Sequence, residues 1–274
     1  MSVHMLIALF VVFLGASTIF SMLGQGGGAF YVPMLLALSV PFYVAATTSQ
    51  VLIVVVSFSS ALLFAKAKML DWKLVLLIEP PTNLGAFAGG YLSPYIPSYF
   101  ARICFAAVLI VGARYMYKPA KESLQAAPHA HWWQWKRTDV AEPYMINVLV
   151  LVPVMVLAGF VAGMLGVGGG LIKVPAVVLL GGVPMKIAVG SSSLMIGITA
   201  LTGFLGHLLR GHFDLKLTAV LAVGVLIGSQ IGPRLSIKAD RTKLRKYFAI
   251  LLLAIALWLV YGVARQYYPY WFVH

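Results

Sequence analysis

Cysteine is all but missing from this sequence: Cys104 stands alone among 274 residues. That excludes an internal disulfide and any cysteine-built metal site. Inside an apolar run, Cys104 reads as a small packing residue. Charge is scarce as well, at 10% of the chain, where an ordinary soluble domain carries about 25%. Only 7 residues are acidic, most of them in the gaps between apolar runs. There is no HExxH, no P-loop and no His/Asp/Ser order, so zinc-protease, ATPase and triad-hydrolase chemistry have no foothold. The expectation is a protein that is not an enzyme and carries no cofactor and no metal.

What the chain has is hydrocarbon. Hydrophobic residues make up 61% and the mean hydropathy is +0.95, which places most of the chain in a bilayer. The net charge of +13 does not point to nucleic acid. The basic residues sit in the gaps between apolar runs, where cytoplasmic loops and anionic headgroups account for them.

Apolar runs of spanning length fall near 3–23, 42–65, 73–93, 100–117, 144–165, 185–209, 215–233 and 246–264. Two shorter stretches, 29–40 and 171–183, follow glycine clusters. The expected fold is an all-α integral membrane protein of 8–10 transmembrane segments. The N-terminal run lacks a basic leader, and its motif-bearing end matches a later internal segment. It reads as a retained first helix and not as a signal peptide. Residues 118–143 form the one long polar stretch, and its three Trp beside Lys136 and Arg137 suit an interfacial anchor. The pair His129 and His131 has no further ligands at metal-site spacing.

The chain repeats itself. Gly24-Gln25-Gly26-Gly27-Gly28 with Pro33 matches Gly166-Val167-Gly168-Gly169-Gly170 with Pro175, 142 residues on. Beyond that the offset is 143: Pro41 falls on Pro184, Thr48-Ser49 on Ser191-Ser192, Asp71 on Asp214, Gly85 and Gly89 on Gly228 and Gly232, and Arg102 on Arg245. Resemblance between apolar helices explains Leu on Leu, but not matched Asp, Arg, Pro and glycine clusters. The organisation expected is a first membrane repeat at 1–117, a linker at 118–143, a second repeat at 144–264 and a tail at 265–274.

Charge decides between parallel and inverted halves. With four crossings per half the basic residues divide almost evenly. If each short glycine-linked segment adds a crossing, fifteen of the 20 Lys and Arg share one side. They include Lys66, Lys68, Lys73, Lys136, Arg137, Lys186 and the six from Arg234 to Lys246. This favours inverted repeats with Gly-broken helices, the linker in the cytoplasm and both termini outside. Twelve helical residues reach only about 18 Å. The short segments therefore belong where protein or a water-filled cavity replaces lipid.

Gly26, Gly27, Gly28 and their counterparts Gly168, Gly169, Gly170 interrupt apolar stretches. They leave backbone N–H groups bare ahead of a helix starting near Ala29 or Leu171, which makes an anion site without a charged side chain. Close helix packing through small residues is the competing explanation. The doubled Gly-x-Gly-Gly-Gly with Pro, then Pro and a Thr/Ser pair in the next helix, resembles the TauE/SafE (sulfite exporter-like) permeases over about 1–117 and 144–264. The resemblance implies a multi-helix carrier of sulfite, sulfonates or related organosulfur anions in a bacterial cytoplasmic (inner) membrane. One departure is Gly190, where the first half has Thr47.

Candidate substrate contacts follow. Thr47, Thr48, Ser49 and Gln50 lie in one apolar helix, and Ser191, Ser192 and Ser193 in its partner. They donate to sulfonate oxygens or bond their own backbone. Gln25, Asn83 and Gln230 are further polar groups at membrane depth. Lys173, matched by Tyr31, either biases the site toward anions or snorkels to an interface. Glu79, matched by Ala222, either carries a coupling proton or has a structural partner such as a lysine. His207 and His212 are weaker candidates. The expected function is secondary transport, by preference export, of a small sulfur oxyanion or sulfonate. The partners are that anion, membrane lipids, protons as coupling ion and a second copy in a homo-oligomer, with no nucleic acid. The rival classes are an anion channel of the same fold and a membrane subunit of a sulfur-metabolising complex docking through 234–246.

Overall fold

The computed structural model describes residues 3–38, 40, 42–92, 103, 106–107, 109–110, 113–114, 117, 133–140, 142–165, 168–208 and 214–267. The apolar runs are helices: α1 (Val3–Met22), α2 (Gly28–Ala37), α3 (Phe42–Lys66), α4 (Trp72–Leu92), α5 (Val148–Leu165), α6 (Gly170–Leu179), α7 (Met185–Leu208), α8 (Leu215–Lys238) and α9 (Arg241–Tyr267). The described residues between 103 and 117 are helical too. Among the described residues, four helical stretches have the length and apolarity to cross a bilayer: Thr47–Lys66, Met185–Leu205, Leu215–Lys238 and Thr242–Gly262. Large apolar side chains such as Leu62, Leu76, Phe87, Leu157 and Leu257 face outward, as they do when the surrounding solvent is lipid. The protein is a multi-pass α-helical membrane protein.

Local chemistry sets the helix starts. Asp214 caps α8, its Oδ1 accepting the Leu217 N–H at 3.0 Å. Asp71 does the same for α4, accepting from Lys73 at 3.0 Å and Leu74 at 3.3 Å. Such caps contribute about 1 kcal/mol. Asp240 caps α9 through the Thr242 and Lys243 N–H groups. The basic stretch 234–246 is consequently two helix ends about a tight turn, with α9 starting five residues earlier than its apolar run suggests.

The segment before α5 departs from the expected helix. Residues 144–147 form a strand, β2 (Tyr144–Asn147), antiparallel to β1 (Gln134–Arg137). This hairpin is held at its turn end by Asp71. Arg137 donates to both carboxylate oxygens, at 2.9 and 3.0 Å, and Tyr144 donates to Oδ2 at 2.6 Å. Burial pushes the Asp71 carboxyl up, but the hydrogen bonds from Arg137 and Tyr144 outweigh it and hold the group below the usual carboxylate range. The Arg137 guanidinium also lies 5.2 Å from the centre of the Trp135 ring. Two of the linker tryptophans, Trp133 and Trp135, thus flank or form the hairpin, while Trp132, His129 and His131 lie outside the described residues.

Small residues fix the packing. A Cβ added at Gly85 would stand 2.1 Å from the Val156 carbonyl oxygen, and one at Gly89 would stand 2.0 Å from that of Phe160. A Cβ at their sequence matches, Gly228 and Gly232, would likewise run into the Leu14 and Thr18 carbonyls. Both pairs, α4 with α5 and α1 with α8, therefore run parallel at close approach. The matched helices α3 and α7 run antiparallel. Ser193 donates to the Ser57 carbonyl at 3.2 Å, and Gly203 meets the Gln50 amide. One apolar core gathers α4 to α7, α9 and the end of α3, and a second gathers α1, α2, α3 and α8 with Ile196 and Ala200 of α7.

Candidate functional site

The glycine clusters break the helices where expected, one residue earlier than the apolar pattern suggests: α2 begins at Gly28 and α6 at Gly170. The backbone requires glycine there. Gly27 has φ +88 and Gly169 φ +76, in the left-handed region. The first donors inside each helix are Phe30 and Tyr31 to the Gly27 carbonyl, and Ile172 and Lys173 to the Gly169 carbonyl. The N–H groups ahead of them are the orphan donors of two helix N-termini.

The two breaks meet. Gln25 donates its side-chain amide to the Gly170 carbonyl at 3.1 Å. A Cβ at Gly26 would touch Ile53 and Ile196 at 2.9 and 3.0 Å, and one at Gly168 would touch the same pair at 3.3 and 3.5 Å. Ile53 and Ile196 are sequence matches, one on each of the antiparallel helices α3 and α7. They stand between the breaks like a shared septum.

One helical turn from each isoleucine sits a serine on the same face: Ser49 before Ile53 and Ser192 before Ile196. Both hydroxyls are fully buried and neither has a protein partner among the described residues. Ser57, one turn on the other side of Ile53, is buried and unpartnered too, and lies against Gly26. Ser57 escaped the sequence reading because its match is Ala200. Gln25 Oε1 and Gln50 Oε1 are likewise buried without a partner, and so is Oδ1 of half-buried Asn83. Thr47 is buried in the same helix.

Other candidates tie helices together. Thr48 accepts from Thr218 at 3.2 Å, which joins α3 to α8. Ser191 accepts the Asp71 backbone N–H at 2.9 Å, which joins α7 to the start of α4. Gln230 donates to Ser59 at 2.5 Å. The His207 side chain and His212 lie outside the described residues.

Lys173 and Glu79, read separately from the sequence, are partners. The Lys173 ammonium donates to Glu79 Oε1 at 2.5 Å, to Thr199 at 2.6 Å and to the Met195 carbonyl at 3.3 Å. Thr199 donates in turn to Glu79 Oε2 at 3.0 Å or to the Met195 carbonyl. Lys173 is wholly buried and Glu79 almost so. The Lys173 stem lies over the second break, with Cε 3.5 Å from where a Gly169 Cβ would be. At the matched position of the first half, Tyr31 stacks on Phe13 at 5.1 Å.

Comparison with known proteins agrees with this architecture. The family described as sulfite exporter TauE/SafE matches residues 9–259. A protein of Bacillus subtilis named probable membrane transporter protein YunE is 29% identical over 265 residues, spanning 93% of this chain and 97% of its own. A probable membrane transporter protein of Methanocaldococcus jannaschii is 24% identical over 256 residues, 88% of this chain and 90% of its own. No solved structure matches the chain. A doubled glycine break inside a multi-pass bundle, matched over nearly the whole length, assigns the protein: the chain belongs to the TauE/SafE family of membrane transporters.

Proposed function

We propose that this protein is a secondary carrier of a small sulfur oxyanion or sulfonate across a bacterial cytoplasmic (inner) membrane, with no catalytic step of its own. One observation carries the reading: two glycine breaks, each ending in bare N–H groups at a helix N-terminus, converge on one isoleucine pair. Oriented backbone donors with partial positive charge suit a sulfonate or sulfite head, which brings several acceptor oxygens and delocalised negative charge. Unpartnered buried hydroxyls at Ser49, Ser57 and Ser192 supply further donors.

The reading includes a division into repeats at 1–117 and 144–264, set in the membrane as inverted copies. The antiparallel course of α3 and α7 supports it. So does the gathering at one end of Asp71, Arg137, Ser191 and Lys186, whose ammonium reaches the Ile237 carbonyl at 3.3 Å. That end carries the basic residues of a cytoplasmic face. Rocking of the copies about the Ile53–Ile196 septum would open the breaks to either side in turn. For an uncoupled anion, a negative interior contributes about 2.3 kcal/mol per charge per 100 mV toward exit, the direction in the family's description.

The test is counterflow in proteoliposomes with sulfite, thiosulfate, alkanesulfonates and sulfate, and a divalent cation as control. Saturable exchange of one anion class is the expected result. Linear, non-saturating flux would make the protein a channel, and no anion flux would remove the reading.

A further inference from the structure

Most of the buried polar groups near the breaks are neutral hydroxyls and amides. Lys173 and Glu79 are different, and the carrier reading leaves them without a task. Burying an ion pair is weak as a stabilising device, because desolvating both charges consumes most of what their attraction returns. In a membrane, such residues sit where charge has work to do.

Their placement is specific. Lys173 lies four residues beyond Gly169, the residue that caps α6, and its stem packs on that glycine. The ammonium is turned away from the break toward α4 and α7, where Glu79, Thr199 and Met195 take all three of its protons. The first break has no such device, for Tyr31 and Ala222 hold the matched positions. A bound oxyanion at the second break and the Glu79 carboxylate would thus be rivals for one cation.

We propose that Glu79 is an internal counter-anion whose protonation releases Lys173 to the substrate, so that one proton and one anion bind together. This deepens the carrier reading and rests on it. A proton from the aqueous side adds to a Glu79 carboxylate oxygen and makes it a neutral acid. The acid keeps its bond with Thr199 but no longer competes as a charge. The Lys173 side chain swings over Gly169, which presents no Cβ to obstruct it, and its ammonium pairs with the anion held by the break. Release reverses the order: the anion leaves, the proton leaves and the ion pair closes. The occupied carrier moves no net charge, so direction passes from the membrane potential to the combined pH and anion gradients.

The surroundings fit a two-member switch. Among the described residues, α5 contributes no titratable side chain, and α6 contributes Lys173 alone. On α4 the other charged residue is the exposed Lys73 at the helix start, and Arg114 of the 103–117 stretch is exposed. On α7, Lys186 is engaged by Ile237 at the far end, and His207 lies two turns beyond Thr199, its side chain outside the described residues.

An alkanesulfonate is the right probe, because it stays ionised throughout and any pH response belongs to the protein. Counterflow of radiolabelled alkanesulfonate with equal pH on both sides tests the carrier reading alone. If it is absent, that reading and this inference both fall. With counterflow established, the wild-type half-saturation concentration should rise with pH, approaching about tenfold per unit on the alkaline limb of its profile. In E79Q it should be independent of pH, and K173Q should bind weakly at every pH. A pH-independent wild type, or an E79Q protein that follows the wild-type profile, overturns the proposal while sparing the carrier. Should E79Q not fold, the wild type decides alone. In weakly buffered vesicles, in the pH range where half-saturation rises about tenfold per unit, sulfonate entry should carry protons one for one, and entry there without proton movement refutes the coupling.

Discussion

Gln25, inside the first glycine break, donates its side-chain amide to the carbonyl of Gly170, the last glycine of the second break. Residues 145 positions apart therefore share one local structure. Anything that disturbs one break reaches the other directly, and the two N-termini act as a unit.

The glycines are not equivalent, and alanine substitution should separate them. At Gly27 a Cβ would stand 2.4 Å from the buried Tyr31 ring, at φ +88. At Gly168 it would meet only flexible isoleucine ends, at 3.3 Å and beyond. Gly168→Ala should cost the left-handed backbone strain of about 1–2 kcal/mol. Gly27→Ala should add about 1–3 kcal/mol of overpacking. Thermal unfolding in detergent should show the larger fall in Tm for Gly27→Ala, with sulfonate counterflow abolished there and reduced at Gly168. Equal shifts would mean that the break accommodates side chains, and its role in binding would have to be abandoned.

Hydroxyls should sort by partner. Ser49→Ala and Ser192→Ala remove groups that bond nothing in the protein, so stability should stay within about 0.5 kcal/mol of wild type. Lost donors to an anion should raise KM about tenfold. Ser191→Ala orphans the Asp71 N–H and should destabilise by about 1–3 kcal/mol. Unchanged transport in the Ser49 and Ser192 variants, despite normal folding, would place the anion elsewhere.

The hairpin clamp makes a prediction in pH. Asp71 titrates below its unfolded value, so its contribution is complete above that value of about 3.9 and is lost as pH falls through the folded one. Amide exchange across 134–147 should be slow and flat from pH 8 to about pH 5, after correction for intrinsic rates. It should accelerate only below about pH 4. Arg137→Gln strands a buried carboxylate and should cost about 3–5 kcal/mol at pH 7, and less when combined with Asp71→Asn. Loosening near neutral pH would show that the clamp is not the Asp71 carboxylate.

Membrane sidedness follows from the antiparallel course of α3 and α7. With Cys104 replaced, Asp139→Cys and Asp240→Cys should react with an impermeant maleimide from the same, cytoplasmic side. Lys216→Cys at the start of α8 should react from the other. Labelling of positions 139 and 240 from opposite sides would rule out the inverted arrangement.

Much of this architecture was legible in the sequence because its causes are local or doubled. The breaks announced themselves as Gly26-Gly27-Gly28 and Gly168-Gly169-Gly170, since positive φ at a helix start demands glycine. Asp71 and Asp214 marked the starts of α4 and α8 by capping chemistry. The hairpin was hidden: Tyr144–Asn147 is apolar and continues into a helical run, and what makes it a strand is a partner from the polar linker and a clamp at Asp71. The hydroxyl clusters showed which residues are polar, but not that Thr48 and Ser191 bond neighbouring helices while buried Ser49 and Ser192 bond none among the described residues. Lys173 and Glu79 stood out separately as departures from the repeat. That these two departures are the ends of one contact, 94 residues apart, requires the folded chain.

The clamp at Asp71 has no copy at the matched position of the sequence. Asp214, its counterpart, is exposed, and among the described residues its carboxylate engages the N–H of its own helix. The clamp rivets the α3–α4 corner to the strand that leads into α5, and among the described residues no such ion pair holds Asp214. The tie lies across the junction of the two halves, so α4 and the entry to α5 are where relative movement of the halves is most restrained.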